Sequence, residues 1–412
     1  MSDALKKTLL NAWHFNAKAK MVPFGGWEMP VEYPTGIFKE HIAVRAAAGV
    51  FDVTHMSALD VRGPNALAFL EAVLPNSPTP LKDGEAQYGY LLKPDGIALD
   101  DLYVYRLNAE RYLVVVNASN TQGDLDWLHA INSGKGSTGL NQKLPSVEIR
   151  DLRDAGPDSL LDVAFQGPLT IEILAELADG EINQKRIRES RFNQIFPTVL
   201  KGIPVLASRT GYTGEEIAFE LFVHPKSLDT LWNMLLEQGK SRGVIPCGLG
   251  ARDSLRIEAG LPLFGHELEG SENLSLSEVG YDFVLKLDKP EFIGKEAYLK
   301  RTNPRAKRLL RLKGSGRKSV RGGQALLDGS GKAVGVVTSF AFTDPEYNFY
   351  VLAAVDSEFQ TKAGTPVKAA RCTPAQVETN MDASKLVDLT VATRFPTKKD
   401  KAAWKEQYSK YK

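Results

Sequence analysis

The stretch Lys93-Pro-Asp-Gly-Ile-Ala-Leu-Asp-Asp-Leu-Tyr-Val-Tyr-Arg106 constrains this chain more than any other. Pro94, Asp95 and Gly96 form a turn, because proline presets φ and glycine relieves the tight bend. The β-branched and aromatic residues that follow read as a strand. A second such run, Arg111 to Asn117, comes after a short Asn-Ala-Glu turn, so the two predict a hairpin. Asp100 and Asp101 stand at the mouth of its first strand. Successive strand side chains point to opposite faces, so only one of the two acids can look into any one pocket. An acid at the start of a buried strand is costly unless solvated or paired, which makes this position a candidate site.

The chain's 412 residues, 43% hydrophobic and 25% charged, suffice for two or three globular domains. With 51 basic and 50 acidic residues the net charge is +1. A nucleic-acid or membrane-surface protein would carry a basic excess, so neither partner is expected. Cys247 and Cys372 cannot build a disulfide framework, and neither sits in a Cys-x-x-Cys pattern. The first residues lack the apolar core of a secretory signal, and no run approaches the roughly 20 apolar residues of a membrane helix. The expectation is a cytoplasmic protein.

Residues 1–50 read as a short helix, an irregular aromatic loop over Pro23 to Pro30, and a helix from Gly36 to Ala48 with Gly49 as its C-cap. Residues 51–62 alternate like one strand. Helices are expected after Gly63-Pro64-Asn65 to near Val73, over Gln122 to Ile131, 227–240 and Ala251 to Glu258. Strands are expected at 161–165 and 203–209, and a polar loop over Gly134 to Gln142. Closely spaced turn signals beyond 300 suggest a small β-barrel or sandwich. The whole reads as α+β, divided into a 1–300 region, an all-β domain over 301–390 and a Lys-rich tail over 391–412.

Several common motifs are absent. Gly248-Leu-Gly-Ala-Arg-Asp253 lacks the third glycine of a dinucleotide fingerprint and is not expected to close a βα turn in a βαβ unit. Gly314-Ser-Gly-Arg-Lys-Ser319 fails the spacing of a phosphate loop. The six histidines are scattered singly and suggest no metal site; only His55 and His266 have glycine-and-acid surroundings that suit a functional role.

Taken in order, a set of strings resembles one family, the T-protein (aminomethyltransferase) of the glycine cleavage system and its folate-dependent relatives. The set begins with His14, Ala19-Lys-Met-Val22 and Gly26-Trp-Glu-Met-Pro-Val-Glu-Tyr33. It continues through His41-Ile-Ala-Val-Arg45, Gly49-Val-Phe-Asp-Val-Thr-His-Met56, Gln87-Tyr88, Asp100-Asp-Leu102 and Val115-Val-Asn117. Then come Phe165-Gln-Gly-Pro168, Ser208-Arg-Thr-Gly-Tyr-Thr-Gly-Glu215 and Pro246-Cys-Gly-Leu-Gly-Ala-Arg-Asp253. Arg256-Ile-Glu-Ala-Gly260, Phe264-Gly265 and Phe292-Ile-Gly-Lys-Glu-Ala297 complete it. Each is weak alone; the ordered set over most of the chain is specific.

The resemblance implies a three-lobed tetrahydrofolate-binding fold with a C-terminal β-barrel. It implies that Asp101 is the catalytic acid facing the pteridine, and that Met56, Tyr88, Asn117, Tyr212, Glu220 and Arg252 complete the cofactor pocket. The residue types suit this. A carboxylate such as Glu220 can accept two parallel bonds from a pterin's amide-and-amine edge. Tyr88 and Met56 offer flat or soft apolar surface. Arg252, at the start of a helix, sits unfavourably against the dipole and wants an anionic partner.

The sequence departs from the family in places. Gly214-Glu-Glu-Ile-Ala-Phe-Glu220 is one residue longer than the family's approach to its glutamate, which would reverse the facing of its side chains unless a bulge absorbs it. Asp95 replaces a glycine. Ser339-Phe-Ala-Phe-Thr-Asp-Pro345 places two phenylalanines where the family has small residues, and these would narrow or re-line whatever that loop faces.

The leading expectation is a transferase that moves a one-carbon unit from the aminomethyl-lipoyl arm of a partner H-protein to tetrahydrofolate, releasing ammonia. The alternative is a tetrahydrofolate-dependent demethylase acting on a small O-, N- or S-methylated substrate. A folate-binding assembly factor is a third class. Its relatives carry a Lys-Gly-Cys-Tyr-x-Gly-Gln-Glu string, and the corresponding Ala259 to Glu267 has no cysteine.

Overall fold

The computed structural model describes residues 4–141, 143–378 and 381–411. Gln142, at the end of the expected polar loop, and Lys412, at the end of the Lys-rich segment, lie outside the described residues. The architecture is α+β: two antiparallel-rich sheets with helices, a small N-terminal sheet, and a closed barrel.

The hairpin read from the sequence forms as strands Ala98–Asn108 and Arg111–Val116. It is the centre of a five-stranded sheet, flanked by Glu85–Leu92 on one side and by Ser57–Arg62 and Glu148–Asp151 on the other. The turn before it depends on Gly96, whose φ is +78° and where a Cβ would lie 2.4 Å from the Tyr298 backbone N. Asp95 stands in for the missing glycine by accepting from the Ile97 N–H at 3.0 Å.

The second sheet runs Ile195–Leu200, Ile203–Ser208, Ala218–Val223, Leu161–Gln166, Gly49–Asp52, Ile245–Cys247. Its core holds Phe165, Phe219 and Trp232. The barrel closes through six strands between Lys307 and Val391. The Lys-rich segment carries a helix, Lys398–Ser409, that buries Trp404 and Tyr408. Among the described residues no helix is long and apolar enough to cross a membrane.

Three local expectations are corrected, and a fourth stands with one addition. The segment 20–32 is a hairpin, not an irregular loop: Lys20–Phe24 pairs with Trp27–Glu32 through Gly25 and Gly26, both at positive φ. Pro23 is tolerated because its strand lies at the sheet edge. Gly49 is no C-cap but a buried strand residue, where a Cβ would meet the Cys247 Sγ and a Val44 methyl at 2.6 Å. Residues 51–62 are not one strand. Gly49–Asp52 and Ser57–Arg62 belong to different sheets, and Asp52 Oδ1 accepts from the Thr54 N–H where the chain turns between them. Finally, Ile245–Cys247 does run through Gly248 into helix Leu249–Ala259, but the chain then leaves for the barrel and no βαβ unit is completed.

Candidate active site

Strand alternation builds the first wall. Register shows Leu91 opposite Asp100 and Leu92 opposite Ala98, so Leu99 is the extra residue of a bulge just upstream of the acids. Beyond it Asp101, Tyr103 and Tyr105 share one face and line a cavity. Asp100 points the other way and is fully buried. Its donors are the Asn117 N–H (2.9 Å), Asn117 Nδ2 (2.8 Å) and Asn120 Nδ2 (2.6 Å).

The cavity opens to solvent, and its side chains leave about 60 Å³ between them that water can occupy. Met56, Tyr88, Asp101, Asn117, Tyr212, Glu220 and Arg252 all line it. They come from different sheets, joined by the turn at residues 53–56 and by helix Leu249–Ala259. Arg153 pins that turn, donating to the Met56 and His55 carbonyls at 2.6 and 2.7 Å while its guanidinium lies over the Trp27 ring. A larger open cleft lies on the barrel, but its walls hold mutually paired charges such as Lys368 and Asp388, with no convergent acid and arginine.

Asp101 is held at both oxygens. Tyr88 donates its hydroxyl hydrogen to Oδ2 at 2.7 Å, and Asn117 Nδ2 lies 2.8 Å from Oδ1. Burial pushes the Asp101 carboxyl above the usual range, while Tyr88, Asn117 and Arg252 pull it back. Glu220 is raised by burial as well, against donors from Thr210 and from Tyr105 (3.1 Å) that both reach Oε2. Among the described residues no donor reaches its Oε1. The extra residue before Glu220 is absorbed in the turn: Ala218–Val223 pairs in unbroken register with both neighbours, so Glu220 keeps its face to the cavity.

Arg252 lies 5.0 Å over the Tyr212 ring, with Nη2 3.7 Å from the Met56 sulfur. The anionic partner expected for it is not supplied by any carboxylate within salt-bridge distance among the described residues. Tyr212 donates to the Pro262 carbonyl.

Neither histidine singled out from the sequence lines the cavity. His55 is buried, and burial together with Arg252 pushes it down to about 3, so it stays neutral. His266 lines a neighbouring cleft that shares Tyr212 and Arg252 with the cavity. Phe340 and Phe342 do not re-line the site. They pack on Phe349, and Phe342 also meets Phe38 on helix Ile37–Ala46. Sequence reasoning missed Tyr103 and Tyr105, although alternation from Asp101 pointed to both. It also missed Thr210, Leu263 and Arg153, for which no local pattern existed.

Residues 10–289 match the family described as the GCVT N-terminal domain. Among curated relatives, the aminomethyltransferase of Symbiobacterium thermophilum is 41% identical over 347 residues, spanning 83% of this chain and 87% of its own. The chain belongs to the aminomethyltransferase family. The Alkaliphilus oremlandii aminomethyltransferase is 40% identical over 367 residues, covering 88% of this chain and 92% of its own. The crystal structure of glycine cleavage system aminomethyltransferase T from Bartonella henselae superposes with a TM-score of 0.77 at 30% identity, covering 94% of this chain and 97% of that one. As a member of the aminomethyltransferase family the chain is a transferase of one-carbon units, and these matches favour that activity over the demethylase alternative.

Proposed function

We propose that the chain accepts an aminomethyl group on the lipoyl arm of a partner H-protein and passes its carbon to tetrahydrofolate, releasing ammonia. We further propose that it works in the cytoplasm, consistent with two cysteines that are both free. The observation that carries the reading is the convergence of Asp101, Glu220 and Arg252 on one aromatic-walled cavity. Neither acid has a salt-bridge partner among the described residues.

The residues present fit a reduced folate. Glu220 has an oxygen that no donor reaches among the described residues and that a pterin's amide-and-amine edge could fill, and burial raises its pKa against the pull of Thr210 and Tyr105. Tyr88, Tyr103 and Met56 supply ring-sized apolar surface. Arg252 is a cation awaiting an anionic or polar group. Bound there, tetrahydrofolate supplies the nucleophilic N5 and N10 that take up the carbon.

Asp101 is the catalytic residue in this reading. With Tyr88 and Asn117 each fixing one of its oxygens, it is preorganised rather than free to rotate. Burial shifts it toward the protonated form, so it can give or take a proton at a carboxyl oxygen and can balance developing positive charge. The test is product identity. With aminomethylated H-protein and tetrahydrofolate, the reading expects ammonia and 5,10-methylenetetrahydrofolate in equal amounts. Formation of 5-methyltetrahydrofolate from a methylated donor, without H-protein, overturns it in favour of a demethylase.

A further inference from the structure

A second acid stands behind the cavity wall. Asp124, in the first turn of helix Thr121–Asn132, is fully buried and meets the carboxyl of Asp100. The surroundings of the two are opposite. Asp100 accepts three hydrogen bonds from Asn117 and Asn120. Neither oxygen of Asp124 has a donor among the described residues. Two buried carboxylates in contact cannot both stay charged without a cation, whereas one proton between them turns repulsion into a hydrogen bond. The donors decide where that proton sits. Asp100 is already solvated as an anion by amides, so the proton belongs to Asp124.

Asn117 connects this pair to the cavity. Its Nδ2 lies 2.8 Å from Asp100 Oδ1 and 2.8 Å from Asp101 Oδ1. The planar amide has two hydrogens, one toward Asp100 and one toward Asp101, where the carboxylate shares it with the Asp101 carbonyl at 3.1 Å. Its orientation is therefore set by Asp100 on the buried side and sets Asp101 on the open side.

We propose that Asp124 is a positioning residue for the transfer: as a neutral acid it donates to Asp100, Asp100 holds the Asn117 amide, and that amide aims Asp101 into the cavity. The inference rests on the reading of Asp101 as the acid that faces folate. Burial and then Asp100 push the Asp124 carboxyl up to about 10, in keeping with the geometry. The charged groups acting on it are Asp100 and Asp101, and Asp101 in turn faces Tyr88 and Arg252. Asp126 and His129 lie on the exposed side of its own helix. Loss of the Asp124 proton at high pH leaves two charges on the pair and takes from Asp100 the donor that braces it. Turnover therefore falls on the alkaline side.

Three variants test this in the whole 412-residue chain. Asp124→Ala lowers kcat on the order of tenfold to a hundredfold, the scale of a misaimed catalytic group, with little change in the tetrahydrofolate Kd. Asp124→Asn keeps an N–H donor toward Asp100, restores most of the lost turnover and abolishes the alkaline limb of the kcat profile. Carboxyl-labelled aspartate in ¹³C NMR, without any ligand, shows a neutral-acid resonance at neutral pH that disappears in both variants. Parental kcat and pH profile in Asp124→Ala, or no such resonance, overturns the proposal. Asp101→Asn separates the two levels. If it abolishes turnover while the Asp124 variants behave as the parent, only this inference fails; if it remains active, the reading of Asp101 itself fails.

Discussion

Carboxyl groups are buried in several parts of this molecule, and two of those regions treat them in opposite ways. Where helices Ile37–Ala46, Leu249–Ala259 and Lys398–Ser409 meet, Glu258 receives Arg45 Nε at 2.8 Å and the Tyr408 hydroxyl at 2.6 Å, with His41 Nε2 at 3.1 Å. Arg45 also reaches Glu215 at 2.7 Å and lies under the Trp404 ring. Burial alone would raise Glu258, but Arg45 and His41 outweigh it and hold the acid at about 2. In the cavity wall and just behind it, Asp101, Glu220 and Asp100 have amides and hydroxyls but no salt-bridge partner among the described residues, and burial wins for each. A buried acid with cations is a brace; one held only by neutral donors is poised to exchange a proton or receive a ligand.

This contrast can be broken or sharpened by mutation. The largest effect is expected at the cavity. Asp101→Asn should cut turnover on the order of 10²–10⁴-fold while leaving tetrahydrofolate Kd and urea stability close to the parent. At the brace the pattern reverses. Glu258→Ala leaves the buried Arg45 with Glu215 as its one remaining carboxylate and should cost about 3–5 kcal/mol in urea unfolding, with far less change in turnover per folded molecule.

The pH dependence of that cost follows from the shift. Glu258 has a folded pKa of about 2 against an ordinary 4.5, so its contribution is complete above 4.5 and is lost as pH falls toward 2. The shift is worth about 3 kcal/mol, and this acid limb should be missing from the Glu258→Ala unfolding profile. The smallest effect is Tyr408→Phe, which removes one hydroxyl donor from Glu258 and should cost about 2 kcal/mol.

What was legible in the sequence follows the same division. Strand alternation and turn chemistry are local, so the hairpin, its turn and the outward face of Asp101 could be read from residues 93–117. The pocket residues could be gathered only through family resemblance, because Glu220 and Arg252 reach the cavity from a different sheet and a later helix. The Gly25-Gly26 turn was a hairpin signal, obscured by the prolines on either side. Gly49 misled because a glycine after a helical run resembles a cap, whereas its reason is the approach of Cys247 from a strand nearly two hundred residues away. Asp124 and Tyr408 carry no local pattern at all. Their roles exist only where helix and sheet meet.

The most direct test of the account is diffraction from crystals of the 412-residue chain soaked with tetrahydrofolate. The account predicts the pterin between Tyr88 and Met56, its amide-and-amine edge at Glu220 and its reactive nitrogens toward Asp101. Folate bound elsewhere, with Asp101 left facing only solvent, would contradict it.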